Sequence, residues 1–170
     1  MLPIVKLPTP SLRERSIEID RETLLSADVQ KLIEEMIPTM YGDDGIGLAA
    51  PQVGRNIRVC IIGKEAVGML EHPSDALIKS KATKDMVLIN PVIELLSKKT
   101  AWDNEGCLSV PKKYGRVRRY IEIKVTAWDE KGNPLEFIAK KFFARVIQHE
   151  VDHLDGILFI DRAMDVYDVE

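Results

Sequence analysis

Apolar residues recur at three- and four-residue spacing through Val29, Leu32, Ile33, Met36, Ile37 and Met40, which predicts an amphipathic helix packed on a sheet. Ser26 stands where the first free amide groups of that helix need an acceptor. Tyr41-Gly42-Asp43-Asp44-Gly45 supplies a turn after it. Pro38 falls inside the pattern, where a missing amide donor is expected to kink the last turn. Beyond the turn the period changes, and Val59, Ile61 and Ile62 around Cys60 read as a short buried strand. Glu65 to Lys84 has little periodicity and reads as a polar surface loop. Met86 to Asn90 and Val92 to Leu96 read as a strand interrupted at Pro91. Arg119 to Trp128 alternates, with Ile121, Ile123, Val125 and Ala127 on one face. Asp129 to Asn133, with Gly132, then turns the chain into Leu135 to Phe137, which predicts a hairpin. Phe142 to Leu154 returns to helical spacing and stops at Asp155-Gly156, where glycine suits a left-handed cap. Strands in the middle with helices flanking them predict the α+β class.

The chain has 170 residues, enough for one domain over 1–170, and no repeat or low-complexity tract divides it. Apolar residues are 45% and charged residues 30%, a globular rather than a disordered balance. Lys plus Arg number 24 against 27 Asp plus Glu, a net charge of −3, which argues against direct nucleic-acid binding through phosphate contacts. No apolar run approaches the roughly 18–20 residues that cross a bilayer, so no membrane partner is expected. The opening MLPIVKLPTPSLRERS lacks the basic start and apolar stretch of a signal peptide. Cys60 and Cys107 are too few for a disulfide framework and are expected to be reduced.

Gln148-His149-Glu150-Val151-Asp152-His153 carries the strongest chemical signal. His149 and His153 are four apart on a predicted helix, so both imidazoles leave one face and can share one metal ion. Glu150 can reach a water at that metal without ligating it, taking the proton that the metal has made acidic. The plainer reading, two surface histidines on a charged helix, requires HExxH to arise by chance in a chain with only three histidines. The third, His72, stands beside Pro73 in the polar stretch and reads as surface. A hydrolytic site needs a third protein ligand and an open position. No histidine follows His153. The carboxylates Asp155, Asp161, Asp165, Asp168 and Glu170 do, and the thiol of Cys107 in Asn104-Glu105-Gly106-Cys107-Leu108-Ser109 is the other choice. Cys60, between Val59 and Ile61, reads as core. Gly45-Ile46-Gly47-Leu48-Ala49-Ala50-Pro51-Gln52 lets backbone approach a ligand closely and offers the Gln52 carboxamide. Alone, it reads as a loop joining the first helix to the first strand, and it lacks the Lys-Ser/Thr ending of a phosphate loop.

Gly45–Gln52, Glu105–Ser109 and Gln148–His153 together resemble the peptide deformylases, which are marked by GIGLAAxQ, EGCLS and QHExxH in this order. Asn90-Pro91 and His153-Leu154-Asp155-Gly156 extend the likeness over nearly the whole chain. The resemblance implies mixed or antiparallel sheets packed around a central C-terminal HExxH helix, with the amphipathic helix N-terminal to them. It implies an enzyme that removes the formyl group from the formyl-methionine of nascent polypeptides, releasing formate. Cys107, His149 and His153 would be the metal ligands, and Glu150 the base and then the acid. The Gln52 side chain and the Leu108 N–H would receive the developing oxyanion. Gly45, Ile46 and Gly47 would pair with the extended substrate. Glu105, Gly106, Tyr114, Arg145 and Val146 would form the rest of the substrate site, Glu105 as a support beneath the cleft. The Arg145 stem would line the methionine pocket while its head reaches solvent. One divalent ion per chain is implied, Fe(II) physiologically, with Zn, Ni or Co able to take its place.

Arg145 and the Leu154-Asp155-Gly156 ending resemble the type 1 branch shared by plant organelles and some bacteria. Tyr114, where many relatives carry arginine at the cleft rim, is not explained by that branch. The implied partners are N-formylmethionyl nascent peptides near the ribosome, met by a monomer or weak homodimer. The compartment would be the bacterial cytoplasm, or an organelle once a transit peptide is removed. The fourteen residues after Gly156 (170 − 156) are short and acidic, and read as a solvated end rather than a basic docking helix. Two further readings stand beside this one. A zinc endopeptidase would draw its third ligand from downstream and leave EGCLS without a role. An inactive binding module would keep fold and metal, although Glu150 is intact.

Overall fold

A computed structural model describes residues 1–67 and 84–169 of the chain; His72 and most of the polar stretch lie outside them. A single turn, α1 (Arg21–Leu24), leads into the amphipathic helix α2 (Ala27–Gly42), whose first turn is capped by the Ser26 hydroxyl accepting from the Val29 N–H. Pro38 does not end it: α2 runs on to Gly42, and its stripe of Val29, Leu32, Ile33, Met36 and Met40 is buried.

The described strands form two antiparallel sheets. In the larger, β1 (Gly47–Ala49), β2 (Val59–Ile62), β3 (Met86–Leu95), β6 (Glu122–Trp128) and β7 (Pro134–Lys140) lie side by side in that order. In the smaller, the order is β4 (Thr100–Cys107), β5 (Val110–Tyr120) and β8 (Met164–Asp168). Side chains alternate along a strand, so β2 feeds both faces of its sheet. Val59 and Ile61 join the cluster built on α2, while Cys60 and Ile62 join the one built on helix α4 (Lys141–Leu154) through Ile147, Val151 and Leu154. Full burial of such side chains contributes roughly 1.5–3 kcal/mol each. A third cluster, Val110, Val117, Leu158 and Phe159, lies under the small sheet.

Four local expectations are corrected. The polar stretch begins not as loop but as a helical turn, α3 (Lys64–Val67), because Ala66 and Val67 are buried in the cluster around α4. Asn90-Pro91 does not break β3. It forms a bulge in which Asn90 takes a φ of 51° and its carboxamide exchanges hydrogen bonds of 3.1 and 2.7 Å with the Ile19 backbone. The alternating run from Arg119 is not one strand: Arg119 and Tyr120 end β5, and the chain passes through Ile121 into β6 of the other sheet. The acidic tail is not only a solvated end. After α5 (Phe159–Arg162) it forms β8, where Asp165 pairs with Arg116 at 2.8 Å and Asp168 with Lys113 at 2.7 Å. Opposite charge on neighbouring strands favours that pairing.

The β6–β7 turn is closed by the Asp129 carboxylate, which accepts from the Lys131 and Asn133 N–H groups at 2.9 Å each. Beyond the α4 C-terminus, Gly156 has a φ of 75°, and a Cβ there would sit 2.4 Å from the Arg13 carbonyl oxygen. No helix among the described residues is long and apolar enough to cross a membrane.

Candidate metal centre and cleft

The α4 helix is fastened where the two sheets meet. The Gln148 carboxamide accepts from the Tyr120 N–H at 3.0 Å and donates to the Tyr120 carbonyl at 2.7 Å. One turn apart on that helix, the His149 and His153 rings have centroids 5.1 Å apart. The β4–β5 hairpin brings Cys107, the last residue of β4, to the same point: its Sγ lies 3.3 Å from His153 Nε2, and the three ligand atoms all fall within 4.8 Å of one another. A thiol and two imidazoles converging in this way fit a divalent ion with one position left open. The two imidazoles are pushed apart: burial depresses the His149 ring, yet hydrogen bonds with Cys107 and Glu105 raise it well above its ordinary range, whereas burial and the neighbouring His149 charge hold His153 well below it. The described carboxylates beyond His153 are engaged elsewhere: Asp155 with Arg58, Asp161 with Arg13, Asp165 with Arg116 and Asp168 with Lys113.

Behind these three side chains lies Glu105. Its Oε1 accepts from His149 Nδ1 at 2.8 Å and Arg119 Nη2 at 2.9 Å, and its Oε2 from Arg119 Nε at 3.0 Å and Arg145 Nη1 at 2.7 Å. With Nδ1 engaged, Nε2 is the His149 nitrogen left for a metal. Burial alone would push the Glu105 carboxyl up, but the hydrogen bonds from His149 and Arg119 hold it well below the usual carboxylate range. Arg119 also donates to Asp152, which accepts from Arg162 as well. The expectation for Arg145 is overturned. Its head does not reach solvent but donates to Glu105, to the Val117 carbonyl at 2.9 Å and to the Ala101 carbonyl at 2.8 Å. Those acceptors satisfy a guanidinium that would otherwise need water.

Glu150 is buried, its Oε2 has no hydrogen-bond partner among the described residues, and burial pushes its carboxyl up to about 7. Gly47 backs it, since a Cβ there would lie 2.6 Å from Glu150 Oε1. Gln52 sits in the 3-10 turn Ala50–Val53. Its Oε1 accepts from the Ala49 N–H at 3.0 Å, and its Nε2 points to Ser109 Oγ at 3.2 Å and Cys107 Sγ at 3.5 Å. In front of these groups opens a cleft of about 910 Å³. Gly45, Ile46 and Gly47 line one part of it, Gly106, Leu108 and Tyr114 another, and Arg145 and Val146 join His149 and Glu150 in its lining. His153 lies behind them and is buried.

Sequence reasoning missed Arg119, Asp152, Ser109 and the N-terminal segment. Leu2, Pro3, Ile4 and Lys6 line the cleft, and this segment donates from Val5 to the Gln52 carbonyl at 2.7 Å and from Leu7 to the Ser109 carbonyl at 3.0 Å. A charged residue at an alternate position of a strand-like run was the available signal for Arg119. The N-terminal segment carried none.

The sequence profile described as polypeptide deformylase matches residues 1–168. Peptide deformylase 2 of Gloeobacter violaceus is 46% identical over 138 residues, covering 81% of this chain and 67% of that protein. Peptide deformylase 1A, chloroplastic/mitochondrial, of Arabidopsis thaliana is 37% identical over 161 residues, covering 94% of this chain and 60% of that protein. Among solved structures, the Met-ala-ser bound class I type b peptide deformylase from Acinetobacter baumannii superposes with a TM-score of 0.82 at 34% identity, covering 95% of this chain and 98% of that one.

Proposed function

This chain belongs to the polypeptide deformylase family, and we propose that Cys107, His149 and His153 hold its metal, that Glu150 moves the protons, and that Gln52 and the Leu108 N–H receive the carbonyl oxygen. As a member, it is a metal-dependent hydrolase that removes the N-formyl group from nascent peptides. The observation that carries the residue roles is the placement of a buried, unpartnered Glu150 Oε2 and the Gln52 carboxamide beside the converging Cys107, His149 and His153 side chains.

A divalent cation held there supplies Lewis acidity, polarising the formyl carbonyl and making water more acidic. Glu150 takes a proton from the attacking water at Oε2 as the new carbon–oxygen bond forms. Negative charge gathers on the carbonyl oxygen, where Gln52 Nε2 and the Leu108 N–H donate; the hydrogen bond from the Ala49 N–H to Gln52 Oε1 supports the carboxamide in that role. Glu150 then returns the proton to the amine as the carbon–nitrogen bond breaks, leaving formate and a free N-terminus. Gly45 to Gly47, at the edge of the large sheet, pair with the extended peptide backbone. Gly106, Tyr114 and Val146 contact its side chains, and Glu105 and Arg145 act from beneath.

Fe(II) is the ion we assign, on the family resemblance; the donor set also suits Zn, Ni and Co. Residues 1–170 act as one catalytic domain, a monomer or weak homodimer that meets formylmethionyl chains near the ribosome. The relatives are bacterial and plant-organellar, and we assign this chain to the same kinds of compartment. Formate release tests the whole reading. Protein loaded anaerobically with Fe(II) should release formate from a formyl-Met peptide and none from its acetyl counterpart. Metal-loaded protein that leaves the formyl peptide intact would overturn it.

A further inference from the structure

Tyr114 is among the residues assigned to peptide side chains, and at the mouth of the cleft it has a neighbour that those roles leave out. Tyr114 lines the cleft and is 42% exposed. Its ring lies against Gly106, the residue before Cys107: a Cβ on Gly106 would come within 2.6 Å of Tyr114 Cε1. Tyr167 of β8 stacks on that ring, with centroids 6.2 Å apart and planes inclined by 26°. The two tyrosines are direct partners across β5 and β8, so backbone pairing sets their approach. The strand is held there by the Asp168–Lys113 and Asp165–Arg116 ion pairs and by the Val169 N–H donating to the Lys112 carbonyl at 2.7 Å. Gly115 lets it close, because a Cβ there would sit 2.9 Å from the Ala163 Cβ.

We propose that Tyr167 is a positioning residue for peptide binding: by stacking on Tyr114 it holds that ring over Gly106 at the cleft mouth, where the ring meets the residues that follow the formylated methionine. The inference rests on the deformylase reading of the cleft. A half-exposed tyrosine on a strand otherwise samples several rotamers, and each bound peptide must then confine it. With Tyr167 in place that ordering is done in advance. The gain falls on substrates long enough to reach the mouth and not on the chemistry at the metal.

The test is steady-state kinetics of the metal-loaded enzyme on formyl-Met-Ala-Ser and on formyl-methionine amide. In Tyr167→Ala the KM for the tripeptide should rise about three- to tenfold, the range of an aromatic pair. Its kcat should stay within about twofold, and the KM for the amide should not move. Tyr167→Phe, which keeps the ring, should restore the tripeptide KM. Every β8 side chain is exposed, so the alanine variant takes nothing from the core. Tyr167→Leu, which keeps apolar area without an aromatic face, is expected to give the same result. An unchanged tripeptide KM in the alanine variant, equal changes on both substrates, or a phenylalanine variant that behaves like alanine would overturn the inference. Wild-type enzyme that releases no formate would sink the deformylase reading instead. Calorimetric binding of Met-Ala-Ser to the wild type, Tyr167→Ala and Tyr167→Phe then decides the stack alone, by the same three- to tenfold weakening (about) in alanine only or its absence.

Discussion

Glu105 accepts from His149, Arg145 and twice from Arg119, and a neutral amide at that position could not accept from all of them. Glu105→Gln also leaves buried guanidinium charge without its counter-charge, so it should cost about 3–5 kcal/mol in urea unfolding at neutral pH. Loosening His149 should weaken metal binding about 10- to 100-fold in chelator competition. The sign of the pH effect follows from the depressed carboxyl: its folded value lies below the ordinary 4.5, so its stabilisation is complete above that value and is lost as pH falls from there. The stability gap between wild type and Glu105→Gln should therefore narrow in acid. Glu150 is the same residue type in the opposite circumstance, buried, with Oε2 unpartnered and its carboxyl pushed up to about 7. Glu150→Gln should retain one metal per chain by elemental analysis and lose formate release by about 100-fold or more. Full turnover in that variant would remove Glu150 from the reaction.

At the scale of elements, β1 and α4 approach closely enough that any side chain at 47 would meet the Glu150 carboxylate. Gly47→Ala would drive a methyl to within 2.6 Å of Glu150 Oε1 and 3.0 Å of its Cδ, displacing the proposed proton carrier without touching Cys107, His149 or His153. We expect kcat to fall about 10- to 100-fold while metal content and the far-UV spectrum hold, since misplacement of a reacting group by about 1 Å costs that much. The elements themselves differed in how far their sequences declared them. α2 and α4 were legible because one apolar stripe faces one sheet, and β6–β7 because Ile123, Val125 and Ala127 alternate inward against Leu135 and Phe137. β4 and β5 were not, although they bring Cys107 to the histidines. The inward positions of β5 include Gly115 and Arg119 beside Val117, so its alternation is written in burial and not in hydrophobicity. The three motifs named the chemistry. The ion-pair network under Glu105 needed contacts across β4, β5 and α4 that no local pattern encodes.

Across the whole molecule, the site exists only where both sheets meet the same helix. Cys107 comes from the small sheet, Gly47 and Gln52 from the large sheet and the turn after β1, and the histidines from the helix between them. The tail that reads as solvated acid closes the small sheet through β8. On the proposed ligand set, a metal shared by Cys107 and the α4 histidines would cross-link the halves of the fold and bind the folded state more tightly than the unfolded one. Its removal should lower the thermal midpoint by an amount that grows with the metal concentration it is compared against. Cys107→Ala should abolish that dependence, because two imidazoles remain without the third ligand. Cys60→Ala should keep it, since Cys60 is fully buried in the core. Hydrogen exchange distinguishes a cross-link from uniform stabilisation. If the metal ties the sheets together, chelation should release protection first in β4 and β5, which otherwise meet α4 through the Gln148–Tyr120 hydrogen bonds and the polar network of Glu105, Arg119, Arg145 and Asp152. The β6–β7 hairpin, packed on α4 through Phe137 and Phe143 with centroids 5.6 Å apart, should hold its protection. Equal loss in both sheets would show that the metal stabilises the fold as a single cooperative unit and not as a bridge between two.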